Sequence, residues 1–314
     1  MEQVAFLFPG QETQYLGMGK DLPETHREAL EVYHRASAVV GYDVRKVCLE
    51  GPEELLRRRE VSQVAIVTTS LAILEVVISQ GIRPGWVAGF SLGEFTALAA
   101  ADVLSLEDVL RLVGLRWQYI QEAVQERSGA MAAIIGMEEL SLLQVIAAVR
   151  AEGVVEIANY NSPDQRVITG EVDAVKKTVQ LCKKNGARRA VLLPIPVPFH
   201  SSLIKEAAAK LGSQLENMEL NKPRFRMLSN YRAQEIRDPG DLLEIMPNQL
   251  CHPVQWDPLI REMISRGVHT FVEIGPRDTL TRFVQSIGST VDNQVKAYHV
   301  EDADGLLELK RVFP

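Results

Sequence analysis

Residues 86–94 (WVAGFSLGE) restrict the fold of this chain more than any other stretch. An apolar, strand-like run leads into the motif Gly-x-Ser-x-Gly centred on Ser91, and an alanine- and leucine-rich helical pattern follows over residues 92–101. Such a motif between a strand and a helix predicts a sharp turn that exposes the serine oxygen beside the free N–H groups of the helix start. We interpret Ser91 as a candidate nucleophile. The alternative is a glycine-rich turn without chemistry, because the bare motif also occurs by chance.

Composition places the chain among ordinary globular proteins of one large or two smaller domains. It has 314 residues and a formal net charge of -7, which argues against a general nucleic-acid binder. The isolated cysteines, Cys48, Cys182 and Cys251, have no spacing typical of a zinc site or a disulfide framework. No apolar run approaches a membrane span, and residues 1–3 lack the basic start of a signal peptide, so we expect a cytoplasmic protein.

Two buried strands resemble each other in how they end. Residues 4–8 (VAFLF) stop at Pro9-Gly10, and residues 270–274 (TFVEI) stop at Gly275-Pro276. Continuous apolar runs ended by turns are typical of a parallel sheet with both faces covered. The amide-rich loop over residues 11–19 follows the first strand, where such sheets bind ligands, although a plain surface loop is the alternative.

Helical patterns fill the next part of the chain. They cover residues 24–40, the charged segment 53–59, the apolar segment 64–78 and the segment from 105 to about 124. Gln63, at the polar edge of the apolar segment, is either a helix cap or a site residue. The Ser105-Leu106-Glu107-Asp108 sequence predicts a helix start.

Arg116 lies in the middle of an apolar helix face. At about 100° per residue, it shares that face with Val109, Leu112, Val113 and Ile120. A guanidinium keeps its charge in a dry setting, so it needs an anionic partner. That partner is either an internal Asp or Glu or the carboxylate or phosphate of a ligand.

Residues 129–195 differ in pattern from the rest. Predicted strands at 130–137, 154–159, 166–170 and 190–195, with helices near 140–151 and 172–184, give the order β-α-β-β-α-β of a ferredoxin-like subdomain. We therefore expect an α/β protein in which this subdomain is inserted into a parallel-sheet catalytic subdomain formed by residues 1–128 and 196–314. The junction is a favoured place for ligands. His200 falls at that junction and is a candidate base, with a structural histidine as the alternative.

Several motifs together resemble those of the malonyl-CoA:acyl carrier protein transacylases, the acyltransferases of fatty acid and polyketide synthesis. The similarity extends over nearly the full length, and its motifs are FPGQ at 8–11, GFSLGE at 89–94, the helix around Arg116, GAMAAIIG at 129–136, NSP at 161–163, PFHS at 198–201, PVQW at 253–256 and EIGP at 273–276. The resemblance implies an α/β-hydrolase-like large subdomain.

The resemblance also implies a role for each matching residue. Ser91 would be the nucleophile and His200 its base, oriented by the backbone carbonyl of Gln255 rather than by an acidic residue. The backbone N–H groups of Gln11 and Leu92 would form the oxyanion hole. Arg116 would bind the malonyl carboxylate, and Gln63, Asn161 and Phe199 would complete the pocket, Phe199 in the pattern of malonyl-selective members.

A ping-pong reaction follows from that resemblance: malonyl passes from malonyl-CoA to Ser91 and then to the phosphopantetheine thiol of an acyl carrier protein. It implies no metal and no redox cofactor, and we expect a monomer that binds neither nucleic acid nor membrane. Basic residues of the small subdomain are candidate docking charges for an acidic carrier, or ordinary surface charges: Lys176, Lys177, Lys183, Lys184, Arg188 and Arg189.

Six residues at four places in the chain depart from the family pattern. Phe90 stands where histidine is usual, Glu12-Thr13 where Gly-Ser is usual, Trp117 where a small residue is usual and Arg277-Asp278 where Gly-Lys is common. We expect these side chains to crowd the pocket and its entrance. Two other functions stay open: an acyl hydrolase of the same fold, against which Arg116 argues, and an inactive carrier-binding module, against which Ser91 and His200 argue.

Overall fold

The computed structural model describes residues 3–124, 128–291 and 294–313. The prediction drawn from the first residues of the chain concerns Met1 and Glu2, which lie outside these ranges. In chain order the strands are β1 Val4–Phe8, β2 Trp86–Gly89, β3 Gly129–Ile135, β4 Val155–Ser162, β5 Gln165–Glu171, β6 Arg189–Leu192, β7 Arg226–Leu228, β8 Glu235–Ile236, β9 Thr270–Ile274 and β10 Lys296–Val300.

Helices connect these strands and cover the larger sheet. They are α1 Asp21–Thr25, α2 Arg27–Val40, α3 Val44–Glu50, α4 Glu53–Leu56, α5 Arg59–Ser79, α6 Gly93–Ala100, α7 Leu106–Ala123, α8 Glu139–Val149, α9 Val172–Lys184, α10 Lys205–Leu215, α11 Pro239–Cys251, α12 Trp256–Ser265, α13 Thr279–Val291 and α14 Ala303–Val312. A short 3₁₀ turn, Ser202–Ile204, precedes α10.

The larger sheet has the strand order β10-β9-β1-β2-β7-β8. All its neighbouring pairs are parallel except β7 and β8, which are antiparallel. The register aligns Phe8 with Gly89 at the carboxyl ends of β1 and β2. Loops after adjacent parallel strands therefore meet at one edge of the sheet, where α/β proteins place their sites.

Both faces of this sheet are buried, as the continuous apolar strands predict. Phe6 and Phe8 of β1 pack into one core cluster with α5, α6 and α7, whereas Ala5 and Leu7 pack into a second cluster with α12 and α13. The alternation follows the two-residue period of a strand. Apolar side chains are therefore needed at consecutive positions.

The smaller sheet is antiparallel and has the order β4-β5-β3-β6. Helices α8 and α9 bury its apolar face through Leu142, Val145, Val175 and Val179. This order of elements confirms the predicted β-α-β-β-α-β pattern and the two-part α/β fold. The limits of the two parts at residues 128 and 196 stay a prediction.

A backbone contact joins the two parts of the molecule. Asn159 of β4 forms a parallel bridge with Val254, which donates its N–H to the carbonyl of Ala158 at 2.8 Å. Tyr160 returns a hydrogen bond to the carbonyl of Val254 at 2.9 Å. The inserted sheet is thus held against the segment that leads into α12.

Some predicted helix bounds were wrong. The segment predicted as one helix over 24–40 is two helices that meet at His26, whose backbone is extended with φ -129°. The charged segment 53–59 is divided between α4 and the start of α5. Among the described residues, α5 is long and apolar enough to cross a membrane, but 89% of its most apolar window is buried inside the protein, as in a core helix.

Candidate active site

Ser91 sits on a tight turn between β2 and α6. Its φ of 52° is left-handed, which a residue with a β-carbon rarely adopts. The flanking glycines are required by space: a Cβ on Gly89 would lie 1.9 Å from the carbonyl oxygen of Gly93, and a Cβ on Gly93 would lie 2.1 Å from that of Phe8. The strand, turn and helix predicted from the motif are therefore present, and the geometry is that of a strained nucleophile turn.

His200 is paired with Ser91. The Ser91 Oγ and His200 Nε2 atoms are 2.7 Å apart, although the residues are far apart in sequence. His200 Nδ1 lies 3.0 Å from the backbone carbonyl oxygen of Gln249. Because that carbonyl can only accept, Nδ1 carries the proton, and Nε2 is left to accept the Ser91 hydroxyl proton.

The predicted role of the Gln255 carbonyl is wrong. Gln249, near the end of α11, supplies the carbonyl that orients His200. Gln255 lies after the turn that follows this helix, and its N–H donates to the carbonyl of Asn230 at 2.9 Å. The family motif around residue 253 marks the correct region of the chain but not the carbonyl itself.

Burial keeps His200 neutral. Loss of hydration, and then the nearby positive charge of Arg116, lower its pKa to about 4, against hydrogen bonds that raise it. The imidazole is therefore unprotonated at neutral pH, which is the form that a general base requires.

Two amide side chains clamp the nucleophile turn. Asn230 accepts from the N–H of Ser91 at 2.6 Å and donates to the carbonyl of Gly89. Gln249 donates through its side chain to the carbonyl of Ser91 at 2.8 Å. Gln249 thus holds both partners of the Ser91–His200 pair, one through its side chain and the other through its backbone.

The buried carboxyl group of Glu94 contacts both of these amide residues, Asn230 and Gln249. Glu94 is fully buried and accepts from the backbone N–H of Asn230 at 3.3 Å, while Ser229 and Gln249 also donate to it. Burial raises the pKa of Glu94 to about 7. Glu94 therefore ties α6 to the loop and helix that hold Ser91 and His200.

The predicted oxyanion residues lie beside the turn. Gln11 lines the same cleft as Ser91, and Leu92 begins the turn into α6 and is fully buried. In the described part of the chain, neither N–H donates to a backbone acceptor. Free N–H groups at this point suit a developing oxyanion, and their role stays a prediction.

Arg116 has no carboxylate partner among the described residues. It is fully buried on α7, its Nη1 donates to Gln63 Oε1 at 2.7 Å, and its Nε and Nη2 find no acceptor. Burial, and then the charge of Arg59, lower its pKa to about 10, so the guanidinium stays charged at neutral pH. Gln63 is no cap and lies at no polar edge, because it is fully buried in α5. A cation with two unused donors favours an anionic ligand over an internal ion pair.

Phe199 lies both at the cleft and beside Arg116. The cleft measures about 390 Å³, and Ser91, His200, Phe199 and Asn161 are among the residues that line it, whereas Arg116 and Gln63 are not. The Arg116 guanidinium carbon is 5.5 Å from the centre of the Phe199 ring. Asn161, which also lines the cleft, has a buried Oδ1 without a hydrogen-bond partner. The Phe199 ring is therefore a neighbour of both the cleft and the buried guanidinium.

Phe90, which departs from the family pattern, also lines the cleft. Its ring packs edge-on against Trp256, with centroids 5.4 Å apart, and lies 6.2 Å from Phe283. A larger cavity of about 650 Å³ lies on the other side of His200, beside α8, but Ser91 does not line it. In the ranges that the structure describes, no three His, Cys, Asp or Glu residues are grouped to hold a metal ion.

Comparison with known proteins places this site in a family. The profile of the acyl transferase domain matches residues 5–303. The malonyl CoA-acyl carrier protein transacylase of Bacillus subtilis (strain 168) is 39% identical over 305 residues, covering 97% of this chain and 95% of the relative. The chain belongs to the malonyl CoA-acyl carrier protein transacylases.

Solved transacylase structures share the fold. An acyl carrier protein S-malonyltransferase from Vibrio cholerae is 36% identical and matches with a TM-score of 0.93, covering 98% of this chain and 99% of its own. A malonyl-transacylase solved in complex with its type II PKS acyl-carrier protein is also 36% identical, with a TM-score of 0.93 and coverage of 97% and 98%.

Sequence reasoning missed several residues of this transacylase site. No motif of the sequence analysis includes Asn230, Gln249 or Arg59. Glu94 appears there only as the last residue of the segment around Ser91, without a role of its own. One signal was available for Glu94: a carboxylate in an otherwise apolar helix start needs hydrogen-bond donors from elsewhere in the fold.

Proposed function

We propose that this chain transfers a malonyl group from malonyl-CoA, through an acyl-serine, to the phosphopantetheine thiol of an acyl carrier protein. The observation that carries the proposal is the pairing of Ser91 with neutral His200 at 2.7 Å near a buried, partly unpaired Arg116. A nucleophile with its base supplies acyl transfer, and the spare guanidinium supplies recognition of a carboxylate.

The first half of the reaction acylates Ser91. His200 Nε2 takes the hydroxyl proton as Ser91 Oγ bonds to the thioester carbon, and the charge on the carbonyl oxygen is stabilised by the N–H groups of Gln11 and Leu92. The carbon–sulfur bond then breaks, and His200 returns the proton to the leaving coenzyme A thiolate. The product is malonyl-Ser91.

The second half repeats these steps in reverse with the carrier thiol as nucleophile. His200 takes the thiol proton, the thiolate attacks malonyl-Ser91, and Ser91 recovers its proton as the leaving group. No metal or redox cofactor takes part in this scheme. We further propose that the chain acts as a monomer in the cytoplasm, without nucleic acid or membrane as partner.

Malonyl is favoured over an uncharged acyl group by Arg116. Its Nε and Nη2 offer two parallel donors, which is the geometry that a carboxylate accepts best. Gln63 fixes the third side of the guanidinium, and the amide of Asn161 and the ring of Phe199 bound the space in front of it. In our proposal, Phe199 moves aside as the malonyl carboxylate reaches Arg116.

Carrier docking is proposed on the exposed face of the small subdomain. Lys177 is already paired with Glu152, and Arg188 is paired with Asp164 at 2.5 Å. Four other basic residues are exposed and form no salt bridge with a described residue: Lys176, Lys183, Lys184 and Arg189. These four are the better candidates for an acidic partner.

An assay of transfer distinguishes this function from the two alternatives. The chain is incubated with malonyl-CoA or acetyl-CoA and a holo carrier protein, and the intact masses of both proteins are followed with time. Malonylated carrier supports the proposal. Free malonate with an unmodified carrier indicates a hydrolase, and carrier binding without any acylation indicates an inactive module. Apo carrier, which lacks the thiol, is the matched control.

A further inference from the structure

Arg59 brings a second guanidinium to the cleft. It is the first residue of α5, its side chain is 14% exposed, and it lines the cleft with Ser91 and His200. Its guanidinium carbon is 5.5 Å from the centre of the Phe199 ring, the same distance as that of Arg116. Arg59 therefore borders the space that an acyl group enters, whereas Arg116 does not line this cleft.

Glu12 forms an ion pair with the guanidinium of Arg59. Its Oε1 lies 2.9 Å from Arg59 Nη1, and its side chain also lines the cleft. The backbone of Glu12 is left-handed, with φ 70°, where glycine is the favoured residue. A carboxylate is thus present at a strained position that a glycine would fill with less strain, one residue after the proposed oxyanion residue Gln11.

We propose that Arg59 is a second binding residue for the acyl carboxylate and that Glu12 competes with that carboxylate for the guanidinium. The inference rests on the proposed function and adds a specificity-determining pair to it. An acyl group that carries a carboxylate can displace Glu12 from Arg59, since it replaces one ion pair by another. An uncharged acyl group has no charge to offer Arg59, so the Glu12–Arg59 pair stays intact and does not change how that group binds.

The proposed competition is tested by removing the charge of Glu12. Glu12→Gln keeps the size of the side chain but removes its charge, so Arg59 becomes available to the substrate. A partly exposed ion pair contributes up to about 1 kcal/mol, so we expect the malonyl-to-acetyl ratio of kcat/KM for acylation of Ser91 to rise about fivefold. Glu12→Gly, which suits the left-handed backbone, is the second variant and should change the ratio in the same direction.

Two comparisons show whether Arg59 causes the rise in the malonyl-to-acetyl ratio. Glu12→Gln should also raise the ratio when Arg116 is replaced by alanine, and adding Arg59→Ala should abolish the gain. The matched control is Glu53→Gln. Glu53 pairs with Arg57 at 2.8 Å in the neighbouring cavity, but neither residue lines the cleft, so this variant should leave the ratio unchanged.

The inference is overturned if Glu12→Gln changes malonyl and acetyl acylation equally, if it lowers the ratio, or if the gain survives Arg59→Ala. A wild-type protein that transfers no malonyl group contradicts the proposed function instead. In that case calorimetric titration with free malonate still tests the pair: about fivefold tighter binding to Glu12→Gln than to wild type supports it, and equal binding refutes it.

Discussion

Replacing Arg116 by alanine tests how the cleft selects its acyl group. The guanidinium is fully buried, and two of its donors are unused. A charge-assisted bidentate contact with a carboxylate is worth roughly 2 to 5 kcal/mol. We expect the lower end, because Arg59 remains in the cleft, and about 2 kcal/mol corresponds to a ~30-fold fall in the malonyl-to-acetyl ratio of kcat/KM.

The fold should survive this change. Arg116 is held by the neutral amide of Gln63 rather than by a carboxylate, so its removal leaves no buried anion unpaired. The assay is acylation of Ser91 by each thioester, with thermal unfolding measured in parallel. Arg111→Ala is the control on the same helix, because Arg111 is exposed and paired with Asp108 at 2.8 Å. Unfolding of Arg116→Ala, or an equal loss with both thioesters, would show that the arginine is structural.

Three further predictions follow from the site and its support. With the pKa of His200 near 4, protonation of the base should lower kcat/KM for acylation only as the pH approaches 4, well below the range in which Glu94 titrates; a pH profile measures this. In Arg116→Ala the nearby positive charge is gone, so the pKa of His200 rises and the fall should begin at higher pH; an unchanged profile would contradict the electrostatic reasoning. Gly89→Ala should lower the free energy of unfolding by about 3 kcal/mol or more, because its Cβ would meet backbone at 1.9 Å. Gly114→Ala, on an exposed helix face with open space around it, should stabilise by up to about 1 kcal/mol, and denaturant titration compares the two. Glu94→Gln should lower kcat by roughly 10- to 100-fold with little change in KM, since an NH2 donor replaces one of the two oxygens that accept from Asn230, Ser229 and Gln249; a changed KM with normal kcat would exclude a positioning role.

Much of the fold could be predicted because its central strands are unusually apolar. Strands β1, β2 and β9 are buried on both faces, so their sequences are continuous apolar runs that end in glycine or proline turns. The strands that sequence reasoning missed lack this signal. Strand β8 has two residues, and β10 (KAYHV) lies at the sheet edge with most of its side chains partly exposed.

The candidate site was predictable where a side chain belongs to a motif. Helical spacing placed Arg116 on a buried face, but periodicity carries no information on which group faces it across the core. The carbonyl that orients His200 could not be read from residue types, since every residue has one and the fold of α11 selects that of Gln249. The Glu12–Arg59 pair depends in the same way on the loop after β1 meeting the first residue of α5.

The mass of the intact protein after brief exposure to malonyl-CoA tests most directly the claim that Ser91 carries the acyl group. Intact-protein mass spectrometry without any carrier protein should show one malonyl group on the wild type, and peptide sequencing should assign it to Ser91. Ser91→Ala should remain unmodified under the same conditions. A malonyl adduct of equal abundance on Ser91→Ala, or on a residue outside the cleft, would contradict the account.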